Sequence, residues 1–385
     1  MKNAIIIIFF TLSTAVSATT YYIDPAGKDV ITNNGSAGFP WKTLAYACSR
    51  VTTPGDIIHV NAGTYFETVQ SLLAVGISIE GEGIISNIIS NISKQYIATI
   101  LLYSSKEGTN GNQHISNIRM DGNKLTAFSA IAVRARSNVH IHHCEFEDFL
   151  HEGVIFTGKV DNSDGEPATY ARGNKFYNNI VTNCADFVGS GGGGDGRGNL
   201  CAGGQQDMLI YNNTIIQEDR GADSNGFGIK FAGSGCNKGL KIYNNTITIP
   251  PWDGSSWDFA IELFESRGGI EIYNNIIQGV VDFSGVSDGT GITNDAGDYG
   301  FAMKIYNNTL GQSVLRARSE TAIDIEHAQT GGIYIYNNLI KNIEVGLALA
   351  FLKNDSMEDI YFYNNIIKEI GISGVLYKGN GIIIW

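Results

Sequence analysis

The chain has 385 residues, of which 43% are hydrophobic and 17% charged, a balance that excludes disorder. It holds 51 Ile against 19 Leu; β-branched Ile suits strands, so a helix bundle or helical solenoid is disfavoured. A net charge of −12 argues against nucleic acid as a partner, since that affinity comes from Lys and Arg on phosphates, and it repels a polyanion unless a cation intervenes.

The first elements are a basic start, Met1-Lys2-Asn3, an apolar run from Ala4 to Val16, and the small-residue pattern Val16-Ser17-Ala18. Together they read as a secretory leader over residues 1–18, with an exported protein from 19 to 385. The run is too short to span a membrane, and no later segment reaches 18 apolar residues. Trp41, Leu44, Ala45 and Cys48 fall at helical spacing and predict a short amphipathic helix capping the N-terminal end. The cysteines are Cys48, Cys144, Cys184, Cys201 and Cys236. Their odd number and spacing make no disulfide framework; Cys184 and Cys201 flank a Gly-rich stretch and have the best chance of pairing, but small buried thiols are the expectation. His140, His142, His143 and His151 are expected in structural or surface roles, because His142-His143 sit in the slots of a repeat.

That repeat dominates the rest of the chain. Tyr-Asn-Asn occurs at Tyr177, Tyr211, Tyr243, Tyr273, Tyr306, Tyr336 and Tyr363, at intervals of 34, 32, 30, 33, 30 and 27 residues. Degenerate copies precede it at Ile141-His142-His143-Cys144 and Ile115-Ser116-Asn117-Ile118. Apolar residues alternate within each copy, as in Lys241-Ile242-Tyr243-Asn244-Asn245-Thr246-Ile247, which is the period of a half-buried strand. Paired Asn suits a corner: Asn accepts left-handed backbone angles, and its amide can bond buried backbone groups. About 30 residues per copy fit two or three short strands and their turns, one coil of a parallel β-solenoid, with the second Asn of each triplet stacked coil on coil.

These copies resemble the coils of right-handed parallel β-helix proteins of the pectin-lyase-like superfamily. Tyr21-Tyr22-Ile23-Asp24-Pro25, Pro40-Trp41-Lys42-Thr43-Leu44, Gly55-Asp56-Ile57-Ile58-His59-Val60 and Gly63-Thr64-Tyr65 resemble the opening of many secreted bacterial members. The resemblance implies an all-β chain, a single right-handed parallel β-helix with a short N-terminal cap helix, acting on polysaccharide. The superfamily holds lyases, hydrolases, epimerases and binding proteins, so the fold does not choose among activities. The acidic run that binds calcium in family nine pectate lyases has no counterpart here, which speaks against pectate as the substrate.

A second strand recurs between the triplets: Gly228-Ile229-Lys230-Phe231, Ala260-Ile261-Glu262-Leu263, Val280-Val281-Asp282-Phe283 and Ala322-Ile323-Asp324-Ile325, with an earlier copy at Ala185-Asp186-Phe187-Val188. The apolar flanks face in, so Lys230, Glu262, Asp282 and Asp324 face out at one equivalent position, coil above coil, ~4.8 Å apart. Stacked like charges are destabilising unless compensated, so this row is the candidate active site. Insertions near the same strand carry Trp252 and Trp257, able to stack on a sugar, and Arg220; Arg267 follows the strand. Arg220 and Arg267 are candidates for holding a sugar carboxyl.

Three readings follow. A lyase acting on a uronic-acid glycan by β-elimination is expected first, mostly on the resemblance, with Lys230 or an Arg as the cation and calcium held by Asp186 and Asp282. Carboxylates around Lys230 raise its pKa and make it a poorer base. A glycoside hydrolase needs only two carboxyl groups, which Glu262 and Asp282 can supply. A non-catalytic glycan-binding surface protein would use the aromatic residues alone. The protein is expected to be a monomer, with a polysaccharide as its only partner.

Overall fold

The computed structural model describes residues 18–158, 169–185, 198–218, 227–231, 236–249, 259–287, 299–312, 321–328, 332–350, 360–370 and 380–384. The leader-like segment, Asp186, Arg220, Trp252 and Trp257 lie outside these residues.

The alternation of apolar residues closes into three long parallel sheets of twelve, eleven and eleven strands, every neighbouring pair coming from successive coils. This is the parallel β-helix that the repeat predicts. Each coil uses one strand from each sheet. In one coil these are Lys241–Tyr243, Thr246–Thr248 and Phe259–Phe264. Ile242, Ile247, Ile261 and Leu263 point into a core that is continuous along the described chain.

The Tyr-Asn-Asn triplet turns one corner of every coil, and its three residues have separate tasks. The seven tyrosines stack on the outer face with ring centroids 4.8 to 5.1 Å apart. The first Asn takes the left-handed conformation, with φ between 54° and 57°, which Asn tolerates better than most residues. The second Asn turns inward. Its Oδ1 accepts the backbone N–H of the preceding coil's Asn at 2.9 to 3.0 Å. Its Nδ2 donates to a backbone carbonyl of that coil, as from Asn245 to Ile210. Buried backbone groups at the corner are thereby paired. His142 fills the Tyr slot and stacks on Tyr177 at 4.8 Å, and His143 takes the left-handed slot with φ 55°.

The N-terminal helix is Leu44–Arg50, capped by Thr43, with Leu44, Ala47 and Cys48 buried. Trp41 lies before it rather than within it, in a bridge to Ile23, because the helix starts at its Thr cap. The buried carboxylate of Glu67 accepts the N–H groups of Leu44 and Ala45, at the positive end of the helix. All five cysteines are buried thiols, as expected of small apolar residues. The last described strand, Asn380–Ile384, pairs with Val345–Ala350. No helix among the described residues is long and apolar enough to cross a membrane.

Candidate active site

The second-strand sheet carries the charged row in the expected register. Lys230 pairs with Glu262, Glu262 with Asp282, and Asp282 with Asp324. The line is apolar or small on either side: Ala132, Ile155 and Cys201 precede Lys230, and Ala348 and Ile383 follow Asp324. Along this one line charge is therefore confined to four successive coils.

Two sequence expectations need correction. The strand before Ile229–Phe231 is Gly198–Ala202, and Cys201 stands in line with Lys230. The place expected for Asp186 belongs to Cys201, fifteen positions later, because the chain between them does not continue at repeat length. The row also faces away from the core without being solvated: Lys230 is 1% exposed, Glu262 2% and Asp282 5%. Asp324 is the more open end.

Burial of such groups is tolerable only when they are paired or neutral. Lys230 is paired: its Nζ donates to Glu262 Oε2 and lies 3.9 Å from the Phe227 ring centroid and 5.7 Å from that of Phe264. For Asp282 the neutral form is favoured. Burial raises its pKa well above the ordinary carboxyl range, and the charges of Glu262, Asp324 and Glu326 add to this. Asp324 is pushed up to about 6, first by burial and then by Glu326. Its Oδ1 is buried with no hydrogen-bond partner. Neighbouring carboxyl groups thus differ: Glu262 is ion-paired with Lys230, and the setting of Asp282 favours its protonated form.

Glu326 escaped the sequence reading, although it follows Asp324 by two residues and so shares its face. A second buried polar group was also missed. Glu152 contacts His151, with Oε1 2.6 Å from Nδ1, and accepts the Ser129 hydroxyl on Oε2. It opens the strand Glu152–Thr157 of the same sheet, and like Lys230 it acts electrostatically on Cys201. Only the pairing Ser129↔Glu152↔Gly198 brings it to this face.

Arg267 is placed otherwise than expected. It is nearly buried after the strand Phe259–Phe264, with Nη1 3.0 Å from Glu265 Oε2 and 3.1 Å from its carbonyl oxygen. Its charge is used within its own turn. For calcium, no group of three or more potential ligands is gathered among the described residues. Of the expected calcium pair, Asp186 lies outside the described residues, and Glu262, the neighbour of Asp282, is ion-paired with Lys230.

No protein-family model matches the chain, and no curated protein matches its sequence. Solved structures do share its fold. The GH136 lacto-N-biosidase from Eubacterium ramulus superimposes with a TM-score of 0.54 at 13% identity, over 91% of this chain and 68% of that one. The Agl-KA catalytic domain superimposes at 0.52 and 16% identity, over 98% of this chain and 70% of that one. At such identities the likeness concerns the parallel β-helix.

Proposed function

We propose that the protein is an exported, monomeric glycoside hydrolase acting on a polysaccharide, with Glu262 and Asp282 as its working carboxyl pair. The observation that carries this reading is the unlike setting of two neighbours in one row: Glu262 ion-paired with Lys230, and Asp282 buried, with its pKa raised well above the ordinary range by that burial and by Glu262. Asp282 donates its proton to the glycosidic oxygen as the leaving group departs. Glu262, kept anionic, faces the positive charge that develops at the anomeric carbon. Adjacent strands lie ~4.8 Å apart, close to the ~5–5.5 Å of carboxyl pairs that retain configuration. Glu262 then attacks the anomeric carbon, and water later releases the glycosyl group with Asp282 returning as base. Lys230 holds Glu262 in place. The leader-like first residues support export, and the β-helices of similar shape include a named glycosidase.

β-Elimination needs a base beside a uronic carboxyl, and Lys230 is poorly placed for it, since its Nζ is buried and donates to Glu262. A panel of neutral and acidic polysaccharides, read both for new reducing ends and for absorbance at about 235 nm, separates the chemistries. Reducing ends without absorbance, with the anomeric configuration kept in the first product, are expected. Absorbance at that wavelength would return the lyase to first place. Asp282→Asn should abolish most turnover while leaving the fold intact, since the shape is kept and burial already favours the neutral acid.

A further inference from the structure

Tyr96 is a large aromatic residue, 62% exposed, held in a left-handed backbone conformation with φ 61°. Such a conformation is unfavourable for a bulky residue and persists only where its surroundings impose it. Those surroundings are visible. The Tyr96 ring lies 4.9 Å from Phe128 and 6.1 Å from His151, and Phe128 stacks on His151 at 4.3 Å. His151 is in turn held by Glu152, and Glu152 by Ser129. His151 and Glu152 are both more than nine-tenths buried. A chain of buried polar and aromatic contacts thus fixes one exposed ring.

The position of that ring relates it to the charged row. Tyr96 stands just before the strand Ala98–Tyr103, which belongs to the same sheet as Glu262. Five strand spacings separate that strand from Phe259–Phe264, ~24 Å at ~4.8 Å each. The outward line between them is Leu101, Ala132, Ile155 and Cys201, without a charge. Arg134, two residues beyond Ala132, and Glu152 share this outer face, so a glycan running along the solenoid from the row to Tyr96 would pass charged groups beside that line.

We propose that Tyr96 is a distal sugar-binding platform, stacking on the apolar face of a pyranose unit in the same polysaccharide chain that the row cleaves. This rests on the hydrolase reading for the identity of the ligand. It adds that the substrate is a long chain running along the solenoid axis, and that Tyr96 sets chain-length preference by binding alone. The backbone strain at Tyr96 is retained because the aromatic ring is needed there.

The test compares Tyr96→Asn and Tyr96→Trp with the wild type. Asn suits the left-handed conformation, so Tyr96→Asn should be at least as thermally stable as the wild type. On the polysaccharide of the panel that the wild type cleaves, its KM should rise roughly ten-fold with kcat unchanged, the loss of one stacked ring. On a trisaccharide from the same polymer, kinetics should not change. Tyr96→Trp should restore polymer KM. Gel retardation by the same polysaccharides, using Asp282→Asn as a catalytically silent background, reads binding apart from turnover. Weaker retardation on adding Tyr96→Asn supports the platform even if the row's chemistry proves to be a lyase's. Unchanged KM and unchanged retardation overturn it, as does an equal loss on polymer and trisaccharide. If no polysaccharide retards or is cleaved by the wild type, platform and hydrolase fall together.

Discussion

The corner built by the second Asn and the row from Lys230 to Asp324 are both stacks of equivalent residues, one coil above the next, yet they behave in opposite ways. An Asn amide is donor and acceptor at once, so a column of identical Asn satisfies itself: Asn245 accepts from Asn213 and donates to Asn275 and Ile210. A carboxylate is only an acceptor and carries a charge, so identical copies repel. That row persists by being unlike from coil to coil, with a cation beside an anion and then an acid whose burial favours the neutral form. Repetition in this solenoid gives stability where the repeated group complements itself. Chemistry arises where the repeat is broken.

The strongest way to break this contrast is Glu262→Gln. Turnover should fall by ~10²–10⁴, the usual worth of a positioned acid or base. The fold should also weaken by ~3–5 kcal/mol, since Lys230 would be left buried without its anion. Replacing both, as in Lys230→Met with Glu262→Met, should recover much of that stability and none of the activity. Denaturant titration beside turnover checks both; a stable, active Glu262→Gln would remove the row from the chemistry.

The Asn column should respond in the opposite sense. Asn245→Ala leaves several buried groups unpaired, each worth ~1–3 kcal/mol. Activity per folded molecule should hold, which active-site titration against the unfolding midpoint would show.

A smaller effect sharpens the electrostatic side. Asp324 holds its proton to about pH 6 when folded, against ~3.9 for an ordinary Asp. The folded state therefore binds the extra proton between these values, and stability falls as pH rises through that window. Above about 6 the penalty is complete; below the unfolded value it is absent. Asp324→Asn should raise the unfolding temperature at pH 8 and leave it nearly unchanged at pH 3. Equal gains at both would locate the cause outside this carboxyl.

The smallest expected effect is that of chelation. Thorough EDTA treatment should leave turnover as it was, given that Glu262 is ion-paired with Lys230 and burial raises the pKa of Asp282. Loss of activity restored by added calcium would reopen the lyase reading.

How far these features could be read in advance depended on their range along the chain. The coil, the corner and the register of the row follow from local periodicity, because alternation within a strand decides which side chain faces the core and the triplet marks where each coil turns. Lys230, Glu262, Asp282 and Asp324 were legible for that reason. The Cys201 register was not, because the segment ahead of its strand departs from repeat length and local pattern then loses its count. Burial of the row, the raised pKa of Asp282 and the hold of Glu265 on Arg267 were not legible either, since desolvation and charge depend on everything within a few ångströms. Tyr96 and the His151–Glu152 pair were invisible to pattern: residues from separate coils meet there, and only the stacking of one coil on the next brings them together.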